Sequence, residues 1–211
     1  MSITHVFFDI GGVLGTNGWD REQRAMAARH FELDEEFELR HQELVGDWER
    51  GQLTLDAYLE SAVFFEPRRF SPAEFTGFMF AECRAFPQSI ALARRLASRG
   101  RVRLATLNNE SAELNGHRIA AFGLRDIFDA FLSSCWLGVR KPSPLIFTRA
   151  LAIMQAEAGR VLFVDDRPQN LTPAQRLGFQ THHYTDAGAL EETLASLDLL
   201  GDASAPTPPR R

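Results

Sequence analysis

Four short stretches of this 211-residue chain carry side chains able to bind and move charge: Asp9 in FFDIGGVLGT, Asn108-Asn109 in RLATLNNES, Lys141 in GVRKPSP and Asp165-Asp166 in VLFVDDRPQN. Each lies just beyond a predicted strand, next to glycine, proline or other turn-forming residues. If those strand ends meet at one sheet edge, three carboxylates and one ammonium share a small volume. The carboxylates repel, Lys141 neutralises only part of their charge, and the carboxyl pKa values rise unless another cation enters. A divalent ion removes the conflict, and an oxygen-only ligand set open to solvent favours Mg²⁺ over zinc or copper. Carboxylate, lysine, amide donors and Mg²⁺ together form a phosphoryl-binding site, in which a carboxylate pointed at bound phosphate can attack it to give an aspartyl-phosphate.

The elements that must position these residues are legible in the periodicity. Ile3 to Asp9 is an apolar, β-favouring run emptying into Gly11-Gly12, which predicts a buried strand and a tight turn. From Asp20 to about Arg84 the spacing is helical. Phe37, His41, Leu44, Val45 and Trp48 form one stripe, and Leu55, Tyr58, Leu59 and Ala62 a second behind the N-cap Thr54. Ser71-Pro72-Ala73-Glu74 reads as a capping box with proline at the first helical position.

After Pro87 helix and strand alternate. The pattern predicts helices over 88–98, 111–122, 143–156, 172–177 and 187–199, and strands over 102–107, 130–133, 161–164 and 180–184. Repeated alternation argues an α/β, doubly wound (Rossmann-like) parallel sheet, with the all-helical segment inserted after strand one. The division is therefore a core of residues 1–18 and 85–200, a helical insert of 19–84, and a disordered tail of 201–211 that is rich in Pro, Ala and Ser. In an open parallel sheet, ligands bind beyond the C-terminal strand ends where strand order reverses, so the four stretches converge there.

Composition narrows the partners. Lys+Arg 23 against Asp+Glu 28 gives a net charge of −5, so no global basic field draws the chain to nucleic acid or anionic lipid. No apolar run is long enough to span a bilayer, and Met1 to His5 lacks the features of a secretory signal, so the expected location is cytoplasmic and the expected partner a small phosphorylated molecule. Cys83 and Cys135 are the only cysteines, expected as reduced, packed thiols. His182 and His183 are strand neighbours facing opposite sides, which argues packing rather than metal binding. Trp19, Trp48 and the phenylalanine-rich stretches 64–65 and 75–80 are expected in the core of the insert, with Trp19 near enough to the strand-one turn to face substrate.

The order Asp, then a Ser/Thr/Asn position, then Lys, then Asp-Asp resembles the haloacid dehalogenase superfamily, whose members are mostly Mg²⁺-dependent phosphatases with an aspartate nucleophile after strand one. The resemblance covers nearly the whole chain apart from the tail, and the insert is similar to the helical cap of type C1. It implies Asp9 as nucleophile and Mg²⁺ ligand, the Gly11 carbonyl as a further ligand, Asp166 as a direct ligand and Asp165 as one acting through water. It also implies Asn108 and the amide of Asn109 on the phosphoryl oxygens, with Lys141 neutralising nucleophile and phosphate. A receiver domain combines similar residues, but its acidic pair follows strand one, whereas here the pair comes late.

Two departures stand out. The phosphatases usually read Asp-x-Asp in motif one, the second aspartate serving as acid and base, and here Gly11 holds that place. Asn108 stands where Ser or Thr is usual. A positioned acid/base contributes on the order of 10² to 10⁴ in rate. The leading expectation is a phosphatase for a substrate with a good leaving group, such as an anomeric sugar phosphate or an acyl phosphate. Beside it stand a degenerate member of weak or no activity that binds metal, phosphate or a partner protein, and a metal-free dehalogenase, for which the Asp165-Asp166 pair would have no purpose.

Overall fold

The computed structural model describes residues 2–201; the proposed tail, apart from Gly201, lies outside them. Five parallel strands run β1 (His5–Phe8), β2 (Arg103–Asn108), β3 (Ala130–Ser133), β4 (Val161–Asp165) and β5 (Gln180–His183). Their spatial order is β3-β2-β1-β4-β5. Asp9 therefore leaves the central strand at the point where the chain first winds one way and then the other, the crevice of a doubly wound sheet. The register places Phe8 opposite Thr106 and Val164, which brings Asp9, Asn108 and Asp165 to one edge.

Alternation along the strands divides the core into two layers, as the two-residue period requires. Val6, Phe8, Leu104, Leu162 and Val164 face one side, under α5 (Pro87–Arg99), α6 (Ala112–Ala121) and α10 (Ala187–Ser196). Phe7, Ala105, Leu107, Val161 and Phe163 face the other, under α8 (Pro144–Met154) and α9 (Pro168–Arg176).

The segment after strand one is helical throughout: α1 (Arg21–His30), α2 (Phe37–Glu49), α3 (Leu55–Ala62) and α4 (Pro72–Ala81). Thr54 caps α3 through Ala57 N–H, and Ser71 and Glu74 close the capping box of α4. The chain enters and leaves this insert through two paired segments: Thr16 N–H donates to the Arg84 carbonyl at 2.8 Å and Phe86 N–H to the Leu14 carbonyl at 2.9 Å. Its aromatic core belongs to the same buried cluster as the first sheet face. Trp48 stacks on Tyr58 at 4.1 Å, and Trp19 meets Phe75 edge-on. Phe65 departs from the expected burial: it is exposed, with Arg40 and Arg68 over its ring.

Other departures from the sequence reading are local. A four-residue helix, α7 (Ser134–Leu137), follows β3 directly and is too short to show a period. Helix α9 starts at Pro168 rather than at Thr172, because Pro168 occupies its first position, while the internal Pro173 obscures the pattern. Helix α8 ends at Met154, where Gln155 turns left-handed, and α10 stops at Ser196. Both cysteines are free and buried. His182 meets Thr193 and His183 the Asp166 carbonyl, so the two rings serve different neighbours. No helix among the described residues is long and apolar enough to cross a membrane.

Candidate active site

Lys141 is the centre of the site. Its Nζ lies 2.9 Å from Asp9 Oδ2 and 2.6 Å from Asp165 Oδ2, and the residue is 4% exposed. It arrives on the loop after α7, and Asn109 sets that loop: the Asn109 amide accepts from Lys141 N–H at 2.8 Å and donates to the Lys141 carbonyl at 2.9 Å. Asn109 lines the cavity above Asp9, but its side chain is committed to placing the lysine. Asn108 is buried at the end of β2, donating to Asn115 at 3.0 Å with its own Oδ1 unpartnered, and is not among the residues that line the cavity.

The paired aspartates differ in their commitments. Asp165 accepts from Lys141, from Asn170 Nδ2 on both oxygens and from Arg167 N–H, so its carboxylate is saturated and acts as the anchor for the lysine. Asp166 keeps a buried Oδ1 without any partner. Its Oδ2 would lie 2.3 Å from a Cβ at position 12, and Gly12 has φ +75°, so only glycine lets the strand-one turn pass this carboxylate. One carboxylate oxygen from each of Asp9, Asp165 and Asp166 falls within 4.8 Å of the others.

The electrostatics follow from three acids and one base in a dry pocket. Burial pushes the Asp9 carboxyl up to about 8; Lys141 opposes the shift, and Asp165 and Asp166 add to it. Asp166 is raised in the same way, by burial and then by Asp165. Burial alone would lower the Lys141 ammonium, and Asp9 and Asp165 more than reverse that. The cluster holds more negative charge than one lysine neutralises. Its hard oxygen donors, one of them an orphaned buried atom, fit a divalent cation such as Mg²⁺.

Above Asp9 is a cavity of about 380 Å³ walled by both the insert and the core. From the insert come Trp19, Arg24, Glu38 and His41. Arg24 grips Glu38 through two bonds of 2.8 Å. Trp19 Nε1 donates to the Tyr58 hydroxyl at 3.0 Å, which lies 2.9 Å from His41 Nδ1. The buried hydroxyl thus joins the indole, which can only donate, to the imidazole of His41 within the wall. Trp19 is 7% exposed, so the ring expected to face substrate is mostly a packed member of the insert's core.

Sequence reasoning did not find Arg24, Glu110 or Arg118, all buried in this wall. The available signal was the stripe Leu114, Asn115, Arg118 and Ile119, where two polar residues take core positions of α6. Arg118 pairs with Glu110 at 3.2 Å.

The comparisons with known proteins agree with this architecture. A haloacid dehalogenase family enzyme from Bacteroides thetaiotaomicron, solved as a complex with magnesium and inorganic phosphate, superposes with a TM-score of 0.74 at 21% identity, covering 89% of this chain and 96% of that one. An L-2-haloacid dehalogenase from Xanthobacter autotrophicus with chloropropionic acid covalently bound gives a TM-score of 0.60 at 22% identity, over 92% and 83%. At these identities the likeness concerns the fold. Among curated proteins, bifunctional epoxide hydrolase 2 of Sus scrofa is 26% identical over 200 residues, 86% of this chain. A sesquiterpene phosphatase of Aspergillus oryzae is 34% identical over 62 residues, 29% of this chain. The chain spans 36% of the length of the first and 32% of the second. A family model described as haloacid dehalogenase-like hydrolase matches residues 3–178, and the chain belongs to that family.

Proposed function

We propose that this chain is a Mg²⁺-dependent phosphatase that hydrolyses a small, polar phosphorylated metabolite through an aspartyl-phosphate on Asp9. The observation that carries this reading is the contact of Lys141 with both Asp9 and Asp165 beside the orphaned Asp166 oxygen, at the foot of a polar cavity. Asp9, Asp166 and the Gly11 carbonyl would hold the ion, with Asp165 acting through water. When bound, Mg²⁺ supplies positive charge between the carboxylates and the phosphoryl oxygens.

Asp9 attacks phosphorus through a carboxylate oxygen, and the bond to the leaving oxygen breaks with its electron pair. Lys141 opposes the rise that burial imposes on the Asp9 carboxyl, favouring the attacking carboxylate, and neutralises charge on the phosphoryl group. The main-chain amide that follows Asn108 is the donor assigned to the phosphoryl oxygens, while the Asn108 side chain, held by Asn115 outside the cavity lining, supports that turn from behind. Water then attacks phosphorus, releasing phosphate and restoring the carboxylate. Charged side chains line most of the cavity, which suits a sugar-sized or carboxylate-bearing substrate. A sesquiterpenyl group of the kind named for the Aspergillus relative would bury hydrocarbon against those charges.

A screen of phosphorylated metabolites with Mg²⁺ tests the proposal. Turnover that Asp9→Asn abolishes in a folded variant supports it, since the amide is nearly isosteric but a poor nucleophile. Turnover by Asp9→Asn at the native rate overturns the covalent mechanism. No turnover of any ester, with Mg²⁺ and phosphate still bound, supports the binding-module reading instead.

A further inference from the structure

Among the cations of the cavity wall that the mechanism above does not use, Arg118 is the most deeply buried. Arg118 is 2% exposed and reaches from α6 to the strand-one turn. Its Nη2 donates to the Asn17 carbonyl at 2.7 Å and meets Glu110 Oε2 at 3.2 Å. Its Nε is buried with no hydrogen-bond partner, Nη1 takes no part in the two contacts above, and the Cys83 sulfur is the guanidinium's other hydrogen-bonding neighbour.

The turn is shaped around this guanidinium. Gly18 has φ +68°, and a Cβ there would lie 1.9 Å from Nη2. Nη1 lies 3.5 Å from where a Cβ of residue 11 would stand, with Asn17 Oδ1 2.9 Å from the same point. The space that a side chain at position 11 would fill, two residues past the nucleophile, is therefore faced by a buried cation. A guanidinium keeps its protons at any working pH, so it can stabilise a developing negative charge but cannot complete a proton transfer.

We infer that Arg118 receives the departing oxygen of the substrate as an anion, which makes this a site for phosphates whose leaving group is itself a stable anion, acyl phosphates foremost. The inference rests on the phosphatase reading and narrows its substrate class. As Asp9 bonds to phosphorus, the P–O bond breaks and its electron pair leaves on a carboxylate. That carboxylate needs no proton, and Arg118 Nη1 donates a charge-assisted hydrogen bond to it. Water then supplies the hydroxyl of inorganic phosphate, and its remaining proton goes to solvent. Glu110 is the positioning residue that holds the guanidinium in place.

The experiment compares the wild-type chain with Arg118→Gln, Arg118→Lys and Glu110→Gln on acetyl phosphate, a series of aryl phosphates and glycerol phosphate, after checking each variant's fold and its Mg²⁺-dependent melting shift. The wild type should favour acetyl phosphate over glycerol phosphate by on the order of 10² in kcat/KM, because the alkoxide leaving group gets no proton. Arg118→Gln should lose on the order of 10², the cost of one oxyanion donor. Its plot of log kcat/KM against leaving-group pKa should also become steeper, and Arg118→Lys should recover part of both. An equal loss on every substrate with an unchanged slope would show a purely structural role and overturn the inference. A Glu110→Gln loss confined to the poorest leaving groups would make Glu110 a proton donor and overturn it as well. A second arm needs no turnover: acetate binding by calorimetry, in saturating Mg²⁺ and inorganic phosphate, should weaken about tenfold in Arg118→Gln, and unchanged acetate affinity would overturn the inference. If the wild type hydrolyses none of these compounds, the phosphatase reading has failed and the acetate arm decides on Arg118 alone.

Discussion

Lys141 has two carboxylate partners and Asp166 Oδ1 has none, and that asymmetry divides the labour of the acidic cluster. A ligand bound only by the native state stabilises it by mass action, so millimolar Mg²⁺ should raise the melting temperature by several degrees. Asp166→Ala should remove most of that rise, and a thermal melt with and without the ion checks it. Gly11 is a second test at this scale. Its φ is not among the positive ones, and the nearest obstacle to a side chain is the tip of Asn17. Gly11→Asp should therefore fold. Its carboxylate would stand beside Arg118, so turnover of glycerol phosphate should rise while that of acetyl phosphate falls by about tenfold. The ratio of the two rates is the measurement, and loss of both in a folded variant would count against the assignment of position 11. Asp9, Asp165 and Asp166 were legible because each stands beside turn residues at a strand end, and Lys141 because it stands beside a proline ahead of a helix, although α7 separates it from the end of β3. Arg118 was not, because its helix reads as an ordinary amphipathic segment until the fold shows which stripe faces the cavity.

Among the elements, α2, α3 and α4 were readily legible, since capping residues announce α3 and α4 and a wide apolar stripe announces α2, whereas α1 offered no apolar stripe of its own. What could not be read was the polar network these helices bury. His41 falls on the apolar stripe of α2, yet its ring takes part in the chain of hydrogen bonds from Trp19 through Tyr58. Burial, followed by nearby Arg24, holds its imidazolium pKa down at about 4 from the usual 6.5. The sign follows from proton uptake: between pH 6.5 and 4 the unfolded chain binds a proton at this site that the folded chain refuses, so stability falls as pH falls through that window. The full shift corresponds to at most ~3 kcal/mol. Urea melts from pH 7 to pH 4.5 should show this slope, and His41→Gln should flatten it, at some cost in stability at neutral pH. Helices α7 and α9 were the least legible elements, one being a single turn and the other carrying an internal proline.

At the scale of the whole molecule, the insert is joined to the sheet domain along two opposite margins. On one, residues 14–16 pair with 84–86, and Thr16 also donates to the Glu82 carbonyl at 2.6 Å. On the other, Glu113 at the start of α6 accepts from Trp48 Nε1 at 3.3 Å and from Leu55 N–H at 3.0 Å, while Arg140 meets Glu49 at 2.6 Å. The change of period after strand one was legible, but the contacts along these two margins were not, because they join residues more than fifty positions apart. Glu113→Ala removes the acceptor of two bonds to a charged group, each worth about 1.5 to 3 kcal/mol. We expect a lower melting temperature and faster proteolysis within residues 50–55, both measurable on the purified chain.

The placement of the tryptophans across those margins gives the molecule a built-in optical gauge. Trp19 is packed close to the paired segments, Trp48 is 2% exposed at the Glu113 margin, and Trp136 is already 53% exposed on the core. Parting the Glu113 margin would wet Trp48 and, where the cavity opens with it, the edge of Trp19 that lines it, while Trp136 would change little. A red shift of the emission spectrum on loss of that margin, for instance in Glu113→Ala, would therefore report the two buried indoles against a constant third, without any label.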